Sequence, residues 1–320
     1  MAEENKPNFN IIGPNGLGDE QRKRAEAFLE KKIEEARKPI EDESPRTERE
    51  EKIIQIAYEL LEKELAEMGV KEMPLVFKEQ FHFLKKIDIG KVPFFAESYA
   101  GTYNYLNQRA DIRKSEDDLF SFLTISHEML HAASFEQYYT NQYGNGASVK
   151  RGGYTTVNLQ DMHSHFASLG ELIADKILLD IILKNKDFIA DSLKIDKGYL
   201  GYTEFTYPVH ILNILLEEVS KRSGIKIDEI WQKIKKGFFT GETMHLRLID
   251  RYLGRGVLRF ISFFDFNNEF VEFLPGDPFQ KIIEFIKTDD PKMRDEIAYE
   301  LLNEREYLRY RQQAQKNDNF

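Results

Sequence analysis

The sequence predicts an α+β fold: a small twisted β-sheet from about residue 73 to 113, packed on the helix that carries His127, then a mainly helical part to about residue 286. Three observations predict it. Strand-like apolar segments are confined to the early stretch. Apolar residues at helical spacing precede them over 51–68, and from about residue 116 onward the spacing is almost wholly helical. Charged stretches punctuated by Pro7, Pro14, Pro39 and Pro45 fill residues 1–50, which read as a solvated, partly disordered arm. Residues 287–320 read as a charged tail with a helix over 294–313 and a frayed end. The main folded domain is therefore expected over 51–286, with 51–184 carrying the sheet and the central helices and 185–286 a helical subdomain.

Taken in order, a helix is possible within the arm at 19–37, where Phe28 and Ile33 are its few apolar points. Ile53, Ile54, Ala57, Leu60, Leu61, Leu65 and Met68 then mark an amphipathic helix. Strand-like pieces follow at 75–77, 81–84 and 93–96, then a pair at 99–106 and 109–112 with a turn at Asn107 and Gln108. Gly101, Tyr103 and Tyr105 alternate with period two, and this tyrosine stripe reads as one face of a sheet. Ser115 with Asp118 marks a helix start, and that helix is expected to run to about Tyr138. A polar, glycine-containing loop is expected over 141–158, mobile or facing a substrate. Helices follow at about 166–183, 207–222, 227–236 and 246–253; Trp231 and the later phenylalanines Phe263, Phe264, Phe266 and Phe270 read as core.

Forty-five basic residues stand against 55 acidic ones, a net charge of −10, so no general attraction for nucleic acid or an anionic membrane is expected. The absence of cysteine excludes disulfides, a thiol nucleophile, iron–sulfur clusters and Cys-type zinc sites. A transition metal would have to be held by His, Asp or Glu. The N-terminus lacks a basic start with an apolar run, and no segment reaches the roughly 20 apolar residues of a membrane span, so the expected location is cytoplasmic.

The segment Thr124 to Ala132 contains H-E-x-x-H. Residues four apart on a helix share a face, so His127 and His131 can aim two imidazoles at one ion. Glu128 is turned about 100° from His127, which places its carboxylate beside an open coordination position, where it can take a proton from water and return it to a leaving amine. Catalytic zinc has three protein ligands, and the later segment Gly170 to Lys176 offers Glu171 as the third. Asp175 follows one turn on and can hold a ligand histidine from behind.

H-E-x-x-H followed by a helix carrying E-x-x-A-D, from Glu171 to Asp175, resembles the gluzincin metallopeptidases, the thermolysin- and neprilysin-like enzymes. The resemblance covers roughly residues 98–184. It implies a zincin-like fold, one Zn2+ per chain held by His127, His131 and Glu171, Glu128 as general base and Asp175 behind the ligands. It also implies that the edge strand near 99–106 pairs with an extended peptide or unfolded protein segment. Forty positions separate His131 from Glu171, more than in thermolysin, and no specific family is matched, so no substrate preference is carried over.

Gluzincins often use a Tyr or His to hold the oxyanion, and Tyr154, His210 and His245 are the candidates here. Asp161, His163 and His165 form D-x-H-x-H, a second metal-type pattern whose preferred reading is a polar loop before a helix. His82 reads as structural. The expected function is a zinc metallopeptidase, with a zinc-binding regulatory or interaction protein lacking peptidase activity as the alternative.

Overall fold

The computed structural model describes residues 9–14, 16–39, 43–70, 78–85, 100–158, 163–201, 206–254, 256–263 and 277–315. The strand readings at 75–77 and 93–96, together with Asp161, Phe264, Phe266 and Phe270, lie outside the described residues. The chain is a mixed α+β protein, mainly helical with short strands, as expected at that level. It divides into two compact units, one of residues 1–153 with 177–203 and one of residues 154–176 with 204–320.

In the first unit, β2 (Phe81–Leu84), β3 (Gly101–Asn104) and β4 (Arg109–Arg113) form a sheet in the order β2-β4-β3. β4 runs parallel to β2 and antiparallel to β3, with Tyr103 opposite Ala110 and Gly101 opposite Ile112. The connecting turn uses Gln108 in the left-handed region, φ 50°. Phe81, Phe83, Ala110 and Ile112 are buried, and helix α3 (Asp118–Ala133) packs against β3 and β4. Helix α2 (Glu48–Glu67) packs on α3. It starts at Glu48, ahead of the expected 51, because Thr47 accepts a hydrogen bond from Glu50 N while the Glu50 carboxylate, 2.7 Å away, accepts one from Thr47 N.

Three expectations for this unit need correction. The arm over 1–50 is not simply solvated. β1 (Ile11–Ile12) pairs in parallel with β5 (Glu136–Thr140), and α1 (Asp19–Ala36) buries Ala25, Leu29, Ile33 and Ala36. Phe9, Ile11 and Tyr138 complete this cluster, while Phe28 is only partly buried at its edge. The apolar stripe of α1 is one residue wide, and charged neighbours hide it in the sequence.

Secondly, α3 stops at Ala133 rather than running to Tyr138. Ser134 leaves the helix in an extended conformation and its Oγ donates to His131 O at 2.8 Å. Residues 136–140 then become β5, whose aromatic and β-branched side chains suit a strand. The start of α3 is also shifted: Asp117 is the cap, its carboxylate accepting from Phe120 N at 3.0 Å. Thirdly, the expected loop over 141–158 contains β6 (Ala147–Gly152), antiparallel to β5, and β7 (Thr155–Asn158) in the second unit. Helix α4 (Ala167–Lys184) contributes residues to both units, and α5 (Lys186–Leu193), which the sequence reading had not singled out, closes the first.

The second unit contains the hairpin of β7 with β8 (His163–His165) and the helices α6 (Thr206–Ser223), α7 (Ile227–Thr240), α8 (Arg247–Leu253), α9 (Val257–Phe263), α10 (Pro278–Lys287), α11 (Pro291–Leu301) and α12 (Glu304–Gln315). Trp231 is buried on α7, as expected. The C-terminal stretch needs a fourth correction, because it is two helices packed into the unit. Ile297, Ala298, Leu301 and Tyr310 are buried. Arg294 donates from Nε to Phe285 O at 3.2 Å and lies over the Phe285 ring, which stacks on Phe260 at 3.9 Å. Pro278 and Pro291 each open a helix, after the capping carboxylates of Asp277 and Asp290.

Candidate metal centre

Helix α3 carries the pentad on a largely buried stretch. Ile125, Met129 and Leu130 hold it in the core, and this buries Glu128 to 5% exposure and His131 to 6%, while His127 is half-buried. The helical spacing does what it was expected to do. His127 Nε2 and His131 Nε2 approach to 3.0 Å, with the two rings nearly edge-on at 4.8 Å between centroids. Two nitrogens at about 2.1 Å from one tetrahedral ion would lie roughly 3.4 Å apart, so the pair is near the spacing a shared ion requires.

Glu171, on α4, completes the group: one ligand atom from each of His127, His131 and Glu171 lies within 4.8 Å of the others. Two imidazoles and a carboxylate are a donor set suited to zinc. Asp175 is buried one turn further along α4, on the Glu171 side of the helix.

β3 passes directly over α3 beside this group. A Cβ placed on Gly101 would lie 2.7 Å from Glu128 Oε1 and 2.8 Å from Thr124 Cγ2, so only glycine lets the strand come this close to the carboxylate. β3 is one of the two edge strands of the β2-β4-β3 sheet among the described residues.

The sequence reading missed a residue here. Tyr105, just beyond β3, places its hydroxyl 3.0 Å from His131 Nδ1. Its ring packs edge-on to His131 and to Tyr103. The period-two tyrosines were the available signal, but alternation alone does not say which ring passes the strand end and reaches a histidine. Behind Tyr105 lies a half-buried polar cluster. Glu136 accepts from Tyr103 Oη at 3.0 Å on Oε1, and on Oε2 from Gln108 Nε2 at 2.9 Å and Tyr138 Oη at 2.5 Å. Burial pushes the Glu136 carboxyl up to about 7, against the lowering effect of its hydrogen bonds from Tyr138, Gln108 and Tyr103. Burial, with the Glu136 charge second, raises the Tyr103 and Tyr138 phenols well above their ordinary value.

In the second unit Tyr154 is 2% exposed, its hydroxyl donates to Ile234 O at 2.7 Å, and it meets His245 Nε2. A side chain on Gly237 would collide with both, so the three residues interlock as packing. The hydroxyl proton of Tyr154 is engaged there. His210 is exposed on α6. His82 is buried in β2 with Nδ1 3.0 Å from Glu43 Oε2, in keeping with a structural role. His163 and His165 belong to β8 rather than to a loop. No helix of the described residues is long and apolar enough to cross a membrane.

Compared with known proteins, the chain matches no family model, no curated protein and no solved structure.

Proposed function

We propose that this chain is a zinc-dependent metallopeptidase with a zincin-like active site, in which His127, His131 and Glu171 hold one Zn2+ and Glu128 is the general base. The observation that carries the reading is the convergence of those three donor atoms from two helices within 4.8 Å. The burial of Glu128 one position after His127, on the helix that supplies both imidazoles, adds to it. The packing of α3 on β3 and β4 supports the zincin-like arrangement.

Zinc bound there would lower the pKa of a coordinated water and polarise a substrate carbonyl. The chain supplies the rest. Glu128 would accept the proton of that water on a carboxylate oxygen and return it to the leaving amine nitrogen. β3 would orient an extended peptide through its outer hydrogen-bonding edge, with Gly101 bringing the strand within reach of Glu128. The substrate is accordingly a peptide or an unfolded segment, and the setting that fits the absence of cysteine is the cytoplasm.

Glu128→Gln keeps the shape of the side chain and removes its basicity. The variant is expected to bind one zinc per chain, measured by metal analysis, and to lose a hundredfold or more in peptide hydrolysis, on the order of a general base's contribution. Unchanged hydrolysis would sink the mechanism. Zinc bound without cleavage of any peptide in a broad library by the unaltered chain would leave only a zinc-binding protein.

A further inference from the structure

We propose that Tyr105 is the positioning residue of His131, holding the imidazole with Nδ1 turned inward and Nε2 turned toward the metal position. The inference rests on the metal reading above and concerns a different residue from its ligands and base. Three observations carry it.

The first is the hydroxyl itself, 3.0 Å from His131 Nδ1, while His131 Nε2 is directed at His127 Nε2. An imidazole that ligates through Nε2 must carry its proton on Nδ1, and a phenol oxygen placed there accepts it. Should the phenol donate instead, the proton would sit on Nε2 and block the ligand position. The tautomer therefore decides whether the pair can grip a cation.

The second is that Tyr105 is held from several sides. A Cβ on Gly152 of β6 would fall 2.5 Å from the ring, so glycine is what makes room for it. The Tyr103 ring abuts it edge-on with centroids 5.0 Å apart. The backbone is fixed as well, with Tyr138 Oη 2.8 Å from Tyr105 O. The third is placement: Tyr105 follows the strand whose Gly101 touches Glu128, so one short segment fixes both a ligand histidine and the base. Groups that orient metal-bound histidines change metal affinity by roughly ten- to a hundredfold when removed.

The test compares the unaltered chain with Tyr105→Phe, Tyr103→Phe and Gly152→Ala, using Zn2+ alone in competition with a chromophoric chelator. Tyr105→Phe is expected to weaken zinc binding ten- to a hundredfold, and Gly152→Ala to weaken it by displacing the ring with the hydroxyl retained. Tyr103→Phe, which loses only the bond to Glu136, is expected to bind as before. In the metal-free proteins, nitrogen-15 shifts of the His131 ring read the tautomer directly. They should show Nδ1–H in the unaltered chain and a mixture in Tyr105→Phe, a change that loosened packing alone does not produce. If the unaltered chain binds zinc and Tyr105→Phe binds it equally, the inference is overturned and the metal reading stands. If the unaltered chain binds no zinc, the metal reading itself is overturned. Should Tyr105→Phe fail to fold, Gly152→Ala and the ring shifts decide, and equal affinity with an unmoved tautomer overturns the inference.

Discussion

At Glu136 burial and hydrogen bonding pull in opposite directions. Desolvation favours the neutral acid, while three donors favour the carboxylate, and burial prevails with a carboxyl raised from 4.5 to about 7. A carboxyl raised on folding binds its proton more tightly in the folded chain, so its stabilising effect is complete at pH below about 4.5. It is lost as pH rises toward about 7. The shift corresponds to on the order of 3 kcal/mol. A physical consequence follows for Tyr138, whose one hydroxyl proton can go either to Glu136 or to Tyr105 O. A protonated Glu136 can itself donate to Tyr138 Oη and leave the phenol proton for Tyr105 O. Glu136→Gln is expected to flatten the part of the stability–pH curve between pH 5 and 8, measured by urea unfolding at fixed pH. A curve as steep as that of the unaltered chain would show that Glu136 is not the titrating group.

At the level of the element, α1 is the case where charge concealed packing. Its residues are mostly Glu, Lys and Arg, yet Ala25, Leu29 and Ile33 fall four apart and meet Phe9, Ile11 and Tyr138. Leu29 is fully buried, so Leu29→Ala is expected to cost about 2–5 kcal/mol, read as a lower denaturant midpoint with an unchanged slope. A loss below about 0.5 kcal/mol would return the arm to the solvated state that its composition suggests. α3 and α4, by contrast, were legible almost to the residue in their cores, because long helical periodicity is a strong signal. Both ends of α3 were misjudged, the start because Asp117 is the cap and the finish because the helix stops at Ala133. The Ser134 hydroxyl on His131 O ends the helix, and the aromatic run after it can join either a helix or a strand until β1 and β6 offer it partners.

For the whole molecule, the prediction is linkage between metal and stability. If α3 and α4 share a zinc ion, free zinc at a thousandfold excess over its dissociation constant should stabilise the fold by about 4 kcal/mol. The melting temperature should rise with added zinc, fall with a chelator and recover on re-addition, and it should do so much less in His131→Ala. A melting temperature indifferent to both zinc and chelator would remove the basis for the centre. The charge of −10 bears on this balance only weakly, because the charges are spread along the chain and are screened over about 8 Å at physiological salt.

Residue type and spacing by themselves determined the face-sharing histidines, the placement of Glu128 beside them, the helical character of α2, α3, α4, α6, α7 and α8, and the exclusion of cysteine chemistry. These are local properties, set by the 3.6-residue period and by the composition. Tertiary structure alone decided whether Glu171 would meet the histidines across forty positions, that Tyr105 rather than Tyr103 would reach His131, and that Gly101 would let β3 touch Glu128. It also turned two charged ends into packed helices. Each of these depends on which surfaces meet, and a chain position carries no record of its partner until the intervening elements have folded and buried their apolar sides.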